Sequence, residues 1–391
     1  MDVVGFAQAR VFRATGDVRP DLACLDKENP DYLSKQLITY IGNKRQLLPM
    51  IEAGITEVAR AIGKDRLVTL DLFSGSGVVS RLLKAHSGHI YVNDLELYSK
   101  IVNECYLSDA DPTLVARLRA LLHDLRRDIQ ANWVHDGFIA EIYAPADDND
   151  IHAGERVFYS RRNAEFLDTA RQSIGRLPDD MRKFFLAPLL SQASVHTNTS
   201  GVFKGFYKND DGVGCFGGSG KNSLKRILGN IDVELPVFSR FSCRSTVLQG
   251  DALTVTQSLP TVDLAYLDPP YNQHPYGSNY FMLNLLATYK RPEDLSEVSG
   301  IPRTWNRSPY NQPGVARTEL FKVIAACKAR FLLISYSSEG FIPYEDFVEY
   351  LGSLGDLKTM EATYNTFRGS RNLHKRDIHV KEYLFLLEKD V

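Results

Sequence analysis

Leu67-Val68-Thr69-Leu70-Asp71-Leu72-Phe73-Ser74-Gly75-Ser76-Gly77 reads as a short buried strand that runs straight into a glycine-rich turn. Apolar periodicity resumes as a helix from Val78 to Leu83, and Ile90-Tyr91-Val92 gives a second strand that stops at Asn93-Asp94. Strand, glycine turn, helix, strand and acid together make half of a doubly wound α/β sheet. Glycines at such a turn let backbone approach a ligand and open a helix whose N-terminus faces the crevice. An acid about 20 residues further on, at the end of the next strand, is placed to accept ribose hydroxyls. Asp94 holds that position, while Ser80 replaces the third glycine of a dinucleotide fingerprint. A nucleoside needs no pyrophosphate cradle, so the pattern points to a nucleoside-type cofactor rather than NAD. The turn alone also fits a purely structural tight turn. Asp94 in the right place is what favours a ligand.

Upstream, residues 44–62 place Leu47, Leu48, Ile51, Ile55, Val58 and Ile62 on one helical face, and Gly63 is a natural stop. Downstream the alternation of strand and helix ceases. Residues 113–129 form a leucine-lined helix, residues 155–196 also look helical, and residues 197–221 are rich in glycine, aromatic and basic residues. Buried-strand signals return at residues 245–248, 262–267, 331–335 and 383–387. The expected organisation is an N-terminal extension (1–30), a first part of the core (31–110), an inserted and mainly helical domain (111–240), and the rest of the core (241–391).

Asp268-Pro269-Pro270-Tyr271 follows the 262–267 strand directly. Ligands of open α/β sheets sit outside the carboxyl ends of the strands. Two prolines fix the backbone and remove two N–H donors, so nearby carbonyls are held out as acceptors. A carboxylate beside a fixed carbonyl suits a small donor such as an exocyclic NH2. A base amine is a poor nucleophile because its lone pair is delocalised into the ring. Accepting both hydrogens, through Asp268 and the Pro269 carbonyl, favours a pyramidal nitrogen, and the contacts strengthen as positive charge develops there. Tyr271 is placed to stack on the base, which must leave the duplex to be reached. A rigid turn with a buried tyrosine is the competing structural reading of these four residues.

Composition excludes several classes. The chain has 391 residues, 44 % hydrophobic and 24 % charged, as in a globular protein of one core plus an insertion. No apolar run reaches the ~20 residues of a membrane span. Residues 1–30 lack an apolar signal core, so a soluble cytoplasmic protein is expected. Five scattered cysteines include no C-x-x-C pair, which argues against a disulfide framework or a structural zinc site; no metal is expected. A net charge of −2 is not that of a strongly basic nucleic-acid binder. Phosphate contacts need only a local patch.

The segments Tyr40-Ile41-Gly42-Asn43-Lys44-Arg45, Asp71 to Gly77 and Asp268 to Tyr271 occur in the order found in the Dam-type (D12) class of DNA adenine N6-methyltransferases, which the sequence resembles over about two-thirds of its length. The resemblance implies a seven-stranded, mostly parallel sheet whose last strand pair is antiparallel, with a target-recognition domain inserted. It implies S-adenosylmethionine as cofactor and methyl transfer to N6 of a flipped adenine in a specific double-stranded DNA sequence. Tyr40, Gly42 and Lys44 match the segment that closes over the cofactor. Asp71, Ser74, Gly75 and Gly77 carry the cofactor turn, with Phe73 beside the methionine moiety and Asp94 on the ribose. Asp251, followed by Ala252, matches the acid that accepts from the cofactor's adenine amine. Tyr280 is a candidate for holding the target base. Lys204, Lys208 and Lys221, amid aromatic residues, are candidate DNA contacts, with an ordinary solvated loop as the alternative. Arg368, Arg371, Lys375 and Arg376 form a second basic cluster. A bacterial or phage origin and a cognate restriction endonuclease partner are expected. Cytosine N4 methylation uses the same amine chemistry but usually begins its motif with serine; Asp268 favours adenine. A non-catalytic DNA-binding protein on a methyltransferase core is the other alternative. The absence of a Pro-Cys pair sets cytosine C5 methylation aside.

Overall fold

The computed structural model describes residues 10–13, 27–365 and 379–390. Its eight strands are β1 (Arg10–Arg13), β2 (Leu67–Asp71), β3 (Ser87–Asp94), β4 (Arg244–Gln249), β5 (Val262–Leu267), β6 (Ala329–Ser337), β7 (Gly355–Asn365) and β8 (His379–Lys389). They form one sheet in the order β1-β7-β8-β6-β5-β2-β3-β4. Only the β6–β8 and β7–β8 pairs are antiparallel. The seven strands expected from the resemblance are present. The short β1 is added beside β7, in a segment where the sequence offers no element.

The central strands alternate between two apolar faces, as a sheet buried on both sides requires. Leu264 and Tyr266 of β5, with Leu384 and Leu386 of β8, pack toward the helices Leu48–Ile62 and Val78–His86. Ala265 and Leu267, with Phe385 and Leu387, pack toward the helices Ala252–Ser258, Ala316–Ala326 and Tyr344–Gly352. The helix expected over 44–62 begins as a 3-10 turn, Lys44–Leu47, before turning α-helical, with Gly63 in the left-handed conformation at its end. Chain order reverses between β2 and β5, which are hydrogen-bonded neighbours. Their carboxyl ends therefore flank a crevice at the topological switch point.

Residues 111–240 contribute helices, among them Pro112–Ala131, Arg161–Gly175 and Asp179–Val195, and no strand among the described residues. Asp111 and Ser160 cap the first two through Leu114 N and Asn163 N. Their core is continuous with residues outside the segment. Phe158, Leu167, Phe185 and Leu190 share one buried cluster with Tyr98, Val102 and Tyr106, and with Phe281 to Leu283.

Candidate active site

The crevice at the switch point holds a cavity of about 200 Å³. Four separate segments wall it: Tyr40 to Lys44, the loop after β2, the residues after β3, and Asp268 with Pro270 after β5. Gly250 to Ala252 and Asn306 to Asn311 close the remainder.

The glycine turn is shaped by what lies over it. Gly75 has φ +50, and a Cβ there would stand 2.8 Å from Cε1 of Tyr40. Gly77 has φ +74, and a Cβ would meet Asn103 Oδ1 at 2.7 Å. Both positions thus combine a left-handed backbone with close approach, which glycine alone permits without strain. Tyr40 is itself pinned. Its ring lies nearly parallel to those of Tyr276 (centroids 4.9 Å apart) and Tyr280 (4.7 Å), and its hydroxyl is 3.2 Å from that of Tyr98. The 40–44 segment therefore lies directly on the glycine turn.

Acids dominate the polar lining. Asp71 is buried; Ser80 Oγ donates to its Oδ2 at 2.5 Å, while Oδ1 has no partner. Burial pushes its carboxyl up to about 7. Ser80, which stands where a dinucleotide fingerprint has its third glycine, is thus the hydroxyl that holds Asp71. Asp94 accepts from Gly75 N at 2.7 Å and from Glu96 N at 2.8 Å, so it shapes the turn as well as facing the cavity. Burial raises its pKa as well. Glu96, buried beside it, accepts from Asn284 Nδ2 (2.5 Å) and Asn306 Nδ2 (3.1 Å), and burial pushes it up to about 7. Asp251 caps the helix Ala252–Ser258 through Thr254 N at 3.0 Å. Phe73 meets Tyr310 edge-on at 5.2 Å. Tyr310 in turn feels the charge of Asp251, so the Phe73 ring sits at the Asp251 side of the cavity. Unpartnered buried oxygens on Asp71, Asn93 and Asn311 line the same space. Buried acceptors without donors are costly. A ligand bearing an ammonium, ribose hydroxyls and an aromatic amine supplies such donors.

At the other wall the Lys44 ammonium lies between two carboxylates, 3.1 Å from Asp268 Oδ1 and 2.8 Å from Glu382 Oε1. The Lys44 and Glu382 side chains are 4 % and 0 % exposed, and that of Asp268 is 18 % exposed. Asp268 is thus the member that opens to the cavity. Burial, with Glu382 adding to it against the opposing pull of Lys44, lifts the Asp268 carboxyl to about 7. For Lys44, burial works to lower the pKa, but the two carboxylates outweigh it and hold the ammonium well above its usual range. Pro269 is buried and Pro270 lines the cavity. The Tyr271 ring is 5.7 Å from Lys44 Nζ, and its hydroxyl would be 3.6 Å from a Cβ at Gly42.

The structure gathers Tyr40, Gly42, Lys44, Asp71, Phe73, Ser74, Gly75, Asp94, Asp251, Ala252 and Asp268 around one cavity. Tyr280 is elsewhere. It is completely buried, its hydroxyl accepts from Ile41 N at 2.7 Å, and its ring backs Tyr40. Lys204, Lys208 and Lys221 are exposed on the glycine-rich loop. Lys204 is close enough to His274 to help burial depress that ring's pKa, which puts the loop beside the segment following Tyr271. Arg226 is drawn inward, donating to the carbonyls of Val195, Thr197 and Thr199. Arg368, Arg371, Lys375 and Arg376 lie outside the described residues. Glu96, Tyr276, Asn306, Tyr310 and Glu382 escape a reading of the sequence. Glu382 alone leaves a signal there, an acid in phase with the apolar positions of a buried strand. Among the described residues there is no cluster suited to a metal ion, and no helix is long and apolar enough to cross a membrane.

The chain is similar in sequence to known methyltransferases. It is 28 % identical over 362 residues to the type II methyltransferase M.NlaIII of Neisseria lactamica, covering 90 % of this chain and 99 % of that one. It is equally 28 % identical over 360 residues to the type II methyltransferase M.CviAII of Paramecium bursaria Chlorella virus 1, covering 90 % and 98 %. The type II methyltransferase M.FokI of Planomicrobium okeanokoites shares 26 % identity over 364 residues, 90 % of this chain and 53 % of that protein. Residues 40–347, which span both walls of the cavity, match a single family over their whole length. The chain belongs to the D12 class N6 adenine-specific DNA methyltransferase family, enzymes that methylate adenine in DNA at its N6 amine.

Proposed function

We propose that this enzyme uses S-adenosylmethionine to methylate a flipped adenine within a specific double-stranded sequence, with Asp268 as the acceptor that receives the N6 amine. The observation that carries this reading is the position of Asp268. Its carboxylate is held at the end of β5 by Lys44 and opens into the cavity that Asp71, Asp94 and Gly75 line from β2 and β3. When bound, S-adenosylmethionine supplies a methyl group on a cationic sulfur, an electrophile that needs little further activation. The unpartnered oxygens of Asp71 and Asn93, with Asp94 and Asp251, would hold its ammonium, ribose and adenine.

The chain's own work is on the nucleophile. Asp268 accepts one N6 hydrogen and the Pro269 carbonyl the other, which localises the nitrogen lone pair. As that nitrogen becomes cationic, the contact to Asp268 strengthens, so it favours the transition state over the ground state. Methyl transfer leaves one proton surplus on N6, and Asp268, whose proton affinity burial raises, is placed to take it. Tyr271 stacks on the extruded base, and burial of the site excludes water that would compete for both hydrogens.

Residues 111–240 serve as the target-recognition segment, with Lys204, Lys208 and Lys221 on phosphates. The relatives named as type II methyltransferases favour a cognate restriction endonuclease in the same cytoplasm. Nucleoside mass spectrometry of unmethylated plasmid DNA incubated with enzyme and S-adenosylmethionine tests the reaction. N6-methyladenine is expected, and N4-methylcytosine or no modification would overturn it.

A further inference from the structure

Glu382 sits on β8, in phase with Leu384 and Leu386 on the sheet face that packs against the helix Leu48–Ile62. An ionised carboxylate buried among such neighbours is destabilising unless paired and hydrogen-bonded. Both conditions are met: Ser335 Oγ donates to Glu382 Oε1 at 2.6 Å, and Lys44 Nζ is 2.8 Å from the same oxygen. Lys44 reaches Asp268 with the same ammonium. Two carboxylates thus share one cation at the cavity wall.

We propose that Glu382 is a positioning residue that keeps Asp268 a strong acceptor by taking a share of the Lys44 ammonium. This rests on the reading of Asp268 as the acceptor of the N6 amine. A lone Lys44–Asp268 pair would be neutral, and its carboxylate would attract an amine hydrogen weakly. With Glu382 present, the same lysine orients Asp268 without fully neutralising it. The added charge is set back from the substrate, so it acts through Lys44 and Asp268 and touches nothing that reacts. The other groups facing the cluster are the phenols of Tyr266, Tyr271 and Tyr276 and, from neighbouring segments, the carboxylates of Asp71 and Glu339. None of these adds positive charge to that of Lys44.

The test compares two variants on unmethylated plasmid DNA with tritiated S-adenosylmethionine. Glu382→Gln removes the charge and keeps the shape. Its kcat is expected to fall roughly ten- to a hundredfold, less than the roughly hundred- to thousandfold lost with a direct contact to a transition state, because Glu382 acts through Lys44 and Asp268. The acid limb of the kcat profile should move to lower pH, because the carboxylate that raises the Asp268 proton affinity has gone. Cofactor affinity, measured by calorimetry without DNA, should change by less than about threefold (below about 0.7 kcal/mol). Ser335→Ala leaves the charge but removes its hydroxyl donor, so the cluster holds its proton more tightly and the acid limb should move to higher pH. Residues that merely fill space would move neither limb. A folded Glu382→Gln enzyme with wild-type kcat and an unmoved limb overturns the proposal. If that variant does not fold, Ser335→Ala decides alone: an upward shift supports the proposal and an unmoved limb refutes it. Asp268→Ala separates the two readings. Turnover in that variant sinks the role of Asp268 itself, whereas an inactive Asp268→Ala beside an unaltered Glu382→Gln sinks only Glu382.

Discussion

Replacing Gly75 by alanine sets a single methyl group against the best-anchored ring of the site. The backbone there has φ +50, a left-handed conformation that costs an L-residue about 1–2 kcal/mol. The new Cβ would stand 2.8 Å from Tyr40 Cε1 and 3.1 Å from its hydroxyl, closer than carbon atoms tolerate. The turn has little freedom to withdraw, because Gly75 N is bonded to Asp94 Oδ2 at 2.7 Å and Ser74 N to the Asn93 carbonyl at 3.0 Å. Tyr40 must move instead, giving up its stacking on Tyr276 and Tyr280. Aromatic pairs contribute about 0.5–1.5 kcal/mol each beyond their buried area. Two pairs add about 1–3 kcal/mol, and the total cost of Gly75→Ala comes to about 2–5 kcal/mol. A double-mutant cycle in urea separates the two parts. Gly75→Ala should cost the whole amount in the wild-type background and only about 1–2 kcal/mol once Tyr40→Ala has removed the ring. Cofactor affinity, read by calorimetry, should fall with Tyr40 displaced. Equal costs in the two backgrounds would refute the account of why this position is glycine.

Asp268→Ala should bind S-adenosylmethionine with nearly unchanged affinity and lose turnover by at least roughly a hundredfold, as judged by single-turnover methyl transfer. Asp71→Asn should stabilise the free enzyme at pH 8, by roughly 2–5 °C in a thermal melt, and weaken cofactor binding. The sign follows from a folded pKa raised to about 7: the unperturbed stability is present below the ordinary carboxylate range and is lost as pH rises through about 7. Wild type and variant should therefore converge near pH 4, and a melting difference independent of pH would contradict the burial of Asp71. Replacing Lys204, Lys208 and Lys221 together by alanine should flatten the log–log salt dependence of duplex binding by up to about 2.7, at roughly 0.9 for each phosphate no longer neutralised. An unchanged slope would remove the basic loop from the DNA interface.

What is legible in the sequence is local. The strand, turn, helix and strand from Leu67 to Asp94, and the four residues after Leu267, carry their geometry in residue types a few positions apart, so their elements and their placement at the crevice are readable from sequence. The sequence shows Glu382 only as an acid in phase with a buried strand and does not tie it to the site, because nothing near it in sequence belongs to the cavity; antiparallel pairing of β6 with β8 brings it beside Ser335. Glu96 lies only two residues from Asp94, but its partner Asn306 is 210 positions away, so their hydrogen bond leaves no local signal. Tyr280 shows the opposite failure. An aromatic residue just downstream of a reaction centre suits base stacking, but Asn279, Phe281 and Met282 around it are all buried, and packing claims the ring. Phe203 in the glycine-rich loop and Arg226 just beyond it likewise face inward.

The proposed DNA site of residues 197–221 sits in a chain of net charge −2, and the inward-facing residues are what tie it to the core. The exposed lysines need only a local field, so the overall charge is of little consequence. Their positions, by contrast, depend on the core beneath them. Phe203, next to Lys204, donates its backbone N–H to the Asn279 carbonyl at 2.7 Å and packs its ring 6.3 Å from that of Phe281. Tyr280, between those two residues, holds Ile41 and backs Tyr40, which lies on Gly75. Basic loop, aromatic core and cofactor turn thus touch one another in succession. A recognition segment hung on a flexible linker would place its lysines without regard to the cavity. Here the buried cluster that holds residues 111–240 together also holds Phe203 beside Phe281, so the exposed lysines keep a set relation to the wall formed by Tyr40, the relation that duplex binding by this loop would require.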